Sequence, residues 1–120
     1  YIHRGAMNWN LAENISKPGT VEEKLFHALS NLEKIRKAEK VFVTNADTWT
    51  IETKDRSVLS IVRAFEGEKI VGLFNFSEYD KTLYIDGEDG EFTELISGTK
   101  KRLNEISLPA YGYYYLKKNE

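Results

Sequence analysis

The chain of 120 residues holds two histidines, His3 and His27. Imidazole titrates near neutrality and is the usual general base, so acid–base chemistry at neutral pH would look first to these two. Neither stands in a catalytic setting. Several serines are present, but no Gly-x-Ser-x-Gly pattern places one on a strand-to-helix elbow. His27 lies in a helical pattern one position off its apolar stripe, where a surface or boundary imidazole is expected. Paired carboxylates could support glycoside hydrolysis, and the candidates are Glu22-Glu23 and the run Asp86-Gly87-Glu88-Asp89-Gly90-Glu91. The first pair opens a helix, where negative charge suits the helix terminus. The second offers hard oxygen ligands, yet it lacks the spacing of a twelve-residue calcium loop and reads as a solvated hairpin tip. No Gly-x-x-x-x-Gly-Lys-Ser/Thr or Gly-x-Gly-x-x-Gly cradle for phosphate occurs. The chain is therefore expected to carry no catalytic set, metal site or cofactor site of its own.

Aromatic residues are the more suggestive class. Trp9, Trp49, Tyr79, Tyr84 and the cluster Tyr111, Tyr113, Tyr114 and Tyr115 could offer flat apolar planes with polar tips to sugar rings. Trp49 and Tyr79 are the candidates for such a carbohydrate surface. In a terminal strand, alternation sends Tyr113 and Tyr115 one way and Tyr114 and Leu116 the other, so one of those sets is expected in a core.

The elements that would position these residues fall into two stretches. Residues 1–19 are irregular in pattern and end in the breaker Ser16-Lys17-Pro18-Gly19. Thr20 with Glu23 then forms a capping box, and Val21, Leu25, Ala28, Leu29, Leu32 and Ile35 recur at the spacing of one helical face. This predicts a helix over 20–38. After Lys40 the pattern turns to short runs rich in Val, Ile, Thr, Tyr and Phe. Strands are predicted at 41–44, 49–53, 58–65, 70–76, 82–85, 92–96, 103–108 and 113–116. Turn residues separate them, including Lys54-Asp55-Arg56-Ser57, Glu66-Gly67-Glu68-Lys69 and Ser97-Gly98. Eight strands with no helix between them predict an antiparallel β-sandwich over 40–120, preceded by an arm and one helix over 1–39. The runs at 58–65 and 70–76 are apolar on both faces and should be covered on both sides. The helix stripe must be buried as well, either on the sandwich or against a preceding body.

Composition bounds the function. With 41% hydrophobic and 30% charged residues the chain can form a core. Seventeen basic against nineteen acidic residues leave a formal charge of -2, which gives no basic footprint for nucleic acid or for anionic membrane. No apolar run approaches the roughly 20 residues of a membrane span. The absence of cysteine excludes disulfides and fits a cytoplasmic chain. The chain opens on Tyr1 without a methionine, and a longer parent is expected.

Several segments, in order, resemble the C-terminal end of amylosucrases and their relatives in the α-amylase family. Ile2-His3-Arg4-Gly5-Ala6-Met7-Asn8-Trp9 is similar to the stretch after the eighth barrel strand, departing at Gly5 where relatives carry proline. Leu32-Glu33-Lys34-Ile35-Arg36-Lys37 resembles the end of the last barrel helix. Leu73-Phe74-Asn75-Phe76-Ser77-Glu78-Tyr79 resembles the Asn-Phe-Ser core of the C-terminal sandwich. Glu94-Leu95-Ile96-Ser97-Gly98-Thr99-Lys100 and Leu108-Pro109-Ala110-Tyr111-Gly112 resemble its closing segments. The resemblance implies a parent whose (β/α)8 barrel acts on sucrose or α-glucan with retention, through carboxylates outside this chain. It implies that Arg4, and with it His3, lines the donor-sugar pocket. It also implies that the sandwich stabilises the barrel, and that Phe76 and Tyr111 are core residues.

Overall fold

The computed structural model describes residues 5–120. Its described residues fall into two compact units that divide between Lys34 and Ile35. In the first, Asn8 caps the short helix α1 (Trp9–Ala12) by accepting the amides of Asn10 and Leu11 at 3.1 and 3.4 Å. A 3-10 turn, Glu13–Ser16, follows. Helix α2 (Val21–Ala38), whose last residues from Ile35 belong to the second unit, starts as its signals require. The Thr20 hydroxyl accepts the Glu23 amide at 3.2 Å and itself donates to Asn14 and Lys17 carbonyls. The Glu23 carboxylate turns to His27 at 3.3 Å, leaving the imidazole largely exposed. No residue of α2 is buried, and Val21, Leu25, Phe26 and Leu29 are open to solvent.

The second unit holds eight strands: β1 (Asp47–Trp49), β2 (Val58–Phe65), β3 (Glu68–Asn75), β4 (Lys81–Leu83), β5 (Phe92–Glu94), β6 (Lys100–Lys101), β7 (Ile106–Leu108) and β8 (Tyr113–Lys118). Six form one antiparallel sheet in the order β1-β2-β3-β8-β5-β6, and β4 pairs with β7 in a second. The fold is mainly antiparallel β, as predicted. The alternating side chains of the large sheet meet the small one in a single core of Val58, Val62, Val71, Leu73, Phe92 and Leu116 against Leu83, Ile85, Leu103, Ile106 and Leu108. Register fixes this inner face, since Leu73 opposes Tyr114 and Val71 opposes both Val62 and Leu116.

Several predicted strands are shorter than their patterns, each for a local reason. Residues 41–44 do not form a strand. Lys40–Phe42 is a 3-10 turn, and Arg63 donates to the carbonyls of Val41 and Val43, which a neighbouring strand would otherwise take. The predicted 49–53 strand is confined to Asp47–Trp49. Beyond it the Ser60 hydroxyl accepts the Ile51 amide at 2.9 Å and donates to the Ile51 carbonyl, replacing backbone pairing. The 103–108 run pairs only at Ile106–Leu108, and the carbonyl of the buried Leu103 accepts the Ile85 amide at 2.9 Å. Phe76 and Tyr111, expected in the core, are 67% and 68% exposed. Both lie past the ends of their strands, and Phe76 continues the outward alternation of Phe74, on the face that the second sheet does not cover.

Candidate functional site

Most of the carboxylates that sequence offered for metal or acid–base work are engaged in ion pairs and hydrogen bonds. In the Asp86–Glu91 turn, Asp86 meets Lys54 at 3.4 Å, Glu88 meets Lys69 at 3.0 Å, and Glu91 accepts from the Asn119 amide at 3.0 Å. Among the described residues no three His, Cys, Asp or Glu side chains gather to hold a metal ion. His3 and Arg4 lie outside the described residues. Trp49 ends β1 opposite Val62, so its half-exposed indole lies on the inner side of the sheet's edge. Tyr79 is exposed in the loop after β3, beyond Asn75. Across β2, Trp49 aligns with Val71, four residues before Asn75. The two aromatics therefore occupy separate parts of the sandwich.

What the fold does assemble is the outer face of the six-stranded sheet. Strand alternation that sends Val62, Leu73 and Leu116 inward must send Leu59, Ile61, Phe74, Tyr113 and Tyr115 outward. Pairing brings these together: Leu59 opposes Phe74, Phe74 opposes Tyr113, and Gly72 lies between Ile61 and Tyr115. The rings meet edge to face, with Phe74–Tyr115 at 5.7 Å, Tyr113–Tyr115 at 6.0 Å and Phe42–Tyr115 at 6.5 Å. Such T-shaped pairs hold an aromatic array in one geometry. Phe42, Ile61, Arg63, Ile70, Gly72, Phe74 and Tyr115 enclose an apolar hollow of about 240 Å³. Gly72 lies beneath it and lets the Phe74 ring settle over the strand, since a Cβ there would come within 2.9 Å of that ring and displace it. The one cation in the hollow, Arg63, is turned onto backbone carbonyls and keeps one edge of the face closed. The other edge is open. Leu59 and Tyr113 are 41% and 45% exposed, and the row continues to Phe76, two residues past Phe74 on the same strand line.

Two titrating groups bind this face to the rest of the unit. Burial above all pushes the Tyr115 phenol up from its usual value of 10.0, with the charges of Tyr113 and Glu94 adding to it. Lys117, on the same side of β8, is raised from its usual 10.5 chiefly by its 2.7 Å hydrogen bond to Glu39, against the opposing effect of burial. Each group holds its proton more tightly folded than unfolded. Their contribution to stability is complete below the unfolded values and is lost as pH rises through the folded ones. Denaturant midpoints should therefore hold up to about pH 10 and fall above it, and Glu39→Gln should flatten that fall. A midpoint that does not change over this range would contradict the assignment.

No family model matches the chain, and no curated protein matches it significantly. Solved structures do share its fold. A chain described as AmyP in complex with maltose is 15% identical at a TM-score of 0.70, over 80% of this chain and 20% of that one. An α-amylase from Anoxybacillus is 19% identical at 0.67, over 87% and 24%. A trehalose-6-phosphate hydrolase from Bacillus licheniformis is 20% identical at 0.63, over 78% and 18%. The chain thus spans a quarter or less of the length of each. The fold seen here is one that an α-amylase, a trehalose-6-phosphate hydrolase and a maltose-bound chain each carry as part of a larger body.

Proposed function

We propose that this chain is the non-catalytic C-terminal domain of an α-amylase-type enzyme, and that its open aromatic sheet face seats against the catalytic barrel. The observation that carries the reading is that face. On this face Leu59 and Tyr113 are exposed and Ile61, Phe74 and Tyr115 are half-buried beside them, and apolar residues gathered on one open face mark a docking surface. The fold shared with parts of an α-amylase and of a trehalose-6-phosphate hydrolase supports the class. The exposed stripe Val21, Leu25, Phe26 and Leu29 of α2 fits the same reading, as the last helix of the preceding barrel. The resemblance drawn from the sequence extends it to an amylosucrase-like parent that moves or hydrolyses a glucosyl unit of sucrose or α-glucan. Arg4 and His3 would then reach the donor sugar.

One pair of measurements tests this. The purified 120-residue chain should turn over neither sucrose nor α-glucan. In the full-length parent, Tyr113→Asp should lower the melting temperature of the catalytic body by several degrees, since a charge placed at a buried interface is left without a partner. Turnover by the chain alone, or an unchanged parent melt, would overturn the proposal. Retarded migration of the chain in an amylopectin gel, lost on Trp49→Ala or Tyr79→Ala, would move the reading to a glycan-binding module.

A further inference from the structure

The turn joining β7 to β8 holds a bulky residue where glycine would be free. Gly112 donates to the Pro109 carbonyl at 2.8 Å, closing a four-residue turn. Its third residue, Tyr111, sits at φ 55°. For an L-residue with a large side chain this left-handed conformation is strained. Such strain persists only where the surroundings over-determine it, and here they do. The Ala110 amide donates to Asp80 at 2.9 Å, the Tyr111 amide donates to the Ser77 carbonyl at 3.0 Å, and Asn75 donates to the Pro109 carbonyl at 3.0 Å. Gly112 has no room for a side chain, as a Cβ would lie 2.6 Å from the Pro109 ring. All of this holds the backbone, while the Tyr111 ring itself stays 68% exposed.

A residue kept in a costly conformation, with its backbone tied at every amide and its ring turned to solvent, is arranged for something outside its own fold. We infer that Tyr111, with the neighbouring Phe76, is the anchor by which this domain inserts into its catalytic body, an inference that rests on the docking reading above. Phe76 lies beside it, because the residue after Phe76 accepts the Tyr111 amide, and Phe76 is itself 67% exposed. Phe76 extends the outward row of Phe74 past the end of β3, and the exposed Tyr111 follows in the turn that its backbone meets. Central aromatic anchors that enter a partner's pocket dominate interface energetics. A sugar partner fits less well. Phe76 offers no hydroxyl, and Ser77 Oγ and the Asn75 amide beside the rings are already committed to internal hydrogen bonds. A larger body on the same polypeptide is what the shared folds supply, each being a quarter or less of its chain.

Hydroxyl-radical footprinting of the 120-residue chain and of the full-length polypeptide, read by mass spectrometry, tests the anchor. Tyr111 and Phe76 should label readily in the short chain and about tenfold less in the full-length one, where the interface excludes water. Tyr84, exposed after β4, should label alike in both, and Phe92, fully buried, should stay unlabelled in both. Equal labelling of Tyr111 while Leu59 and Tyr113 become protected would overturn the anchor and leave the docking face standing. Equal labelling of the whole face would overturn both. Protection that requires added maltooligosaccharide would assign the rings to glycan and overturn the anchor. Tyr111→Gly gives an independent reading. Glycine takes this φ without strain, so the short chain should melt within about 2 °C of its parent, while the full-length protein should lose several degrees. An equal loss in both would mean that the ring serves only its own turn.

Discussion

Asn75→Ala should lower the stability of the sandwich by about 3–4 kcal/mol, a large fraction of what a domain of this size possesses. The side chain is 3% exposed, and each of its polar atoms is used twice. Nδ2 donates to the carbonyls of Tyr79 and Pro109 at 2.8 and 3.0 Å, and Oδ1 accepts the Ser77 amide and hydroxyl at 2.9 and 2.8 Å. Asn75 therefore joins the loop after β3 to the turn before β8, the two segments that carry Tyr79, Phe76 and Tyr111. Alanine removes all four bonds and leaves buried amide and carbonyl groups short of partners, which costs more than the bonds themselves contribute. Denaturant midpoints measure the loss; a change below about 1 kcal/mol would show that water replaces the side chain at little cost.

Asn75→Asp sharpens the test. The replacement presents an acceptor where two carbonyl oxygens already point, so the ionised form is disfavoured in the fold and the new carboxyl's pKa is raised above its unfolded value near about 3.9. A raised carboxyl favours folding at low pH and loses that contribution as pH rises. The gap in stability between variant and parent chain should thus be small at about pH 3.5 and wide at about pH 7. A gap that widens on acidification would refute the geometry.

The same residue shows how far sequence could reach. Leu73-Phe74-Asn75-Phe76-Ser77 was legible as a strand ending in a polar motif, and the strand is there. What the resemblance could not give was the side on which its aromatics lie. It implied that Phe76 and Tyr111 are core residues, yet alternation places Phe76 outward with Phe74, and both residues lie beyond the last paired positions and face solvent. Helix α2 was legible because its cap and its period agree. Val41–Thr44 was misread because β-propensity cannot foresee a long-range donor such as Arg63 taking the carbonyls that a ladder needs. The outer face was present in the sequence under another description. Apolar residues on both sides of 58–65 and 70–76 implied cover on both sides, and the fold supplies it in full on one side and only in part, through Val41 and Phe42, on the other. A two-sided apolar strand in a sheet with one open face is what the docking proposed above would need.

The remaining large effect concerns the joint beneath that face. Glu94 ends β5 pointing to the inner side, 3% exposed, and among the described residues no ion pair engages it. Its carboxylate instead accepts three backbone amides: Ser97 at 2.9 Å, Ile96 at 3.2 Å and Tyr115 at 3.1 Å. The first two close the Glu94–Ser97 turn, and the third fills the place where the β5–β8 ladder runs out. An anion accepting several amides is a strong buried arrangement, provided that all of them stay. Glu94→Ala should therefore cost about 3 kcal/mol by orphaning three donors. Glu94→Gln, nearly identical in shape, should still cost about 1–2 kcal/mol, because its NH₂ must face an amide that needs an acceptor. The two variants differ in what they leave behind, so hydrogen exchange separates them. In Glu94→Gln the Tyr115, Ile96 and Ser97 amides should exchange faster while the Val71 and Leu73 amides of β3 keep their protection. Tyr115 is the ring against which Phe42, Phe74 and Tyr113 all pack, so loosening its backbone should also weaken docking in the full-length protein without removing a single apolar atom from the face. If Tyr115 exchange is unchanged in Glu94→Gln, the carboxylate does not hold the strand, and the rigidity of the aromatic face must come from ring packing alone.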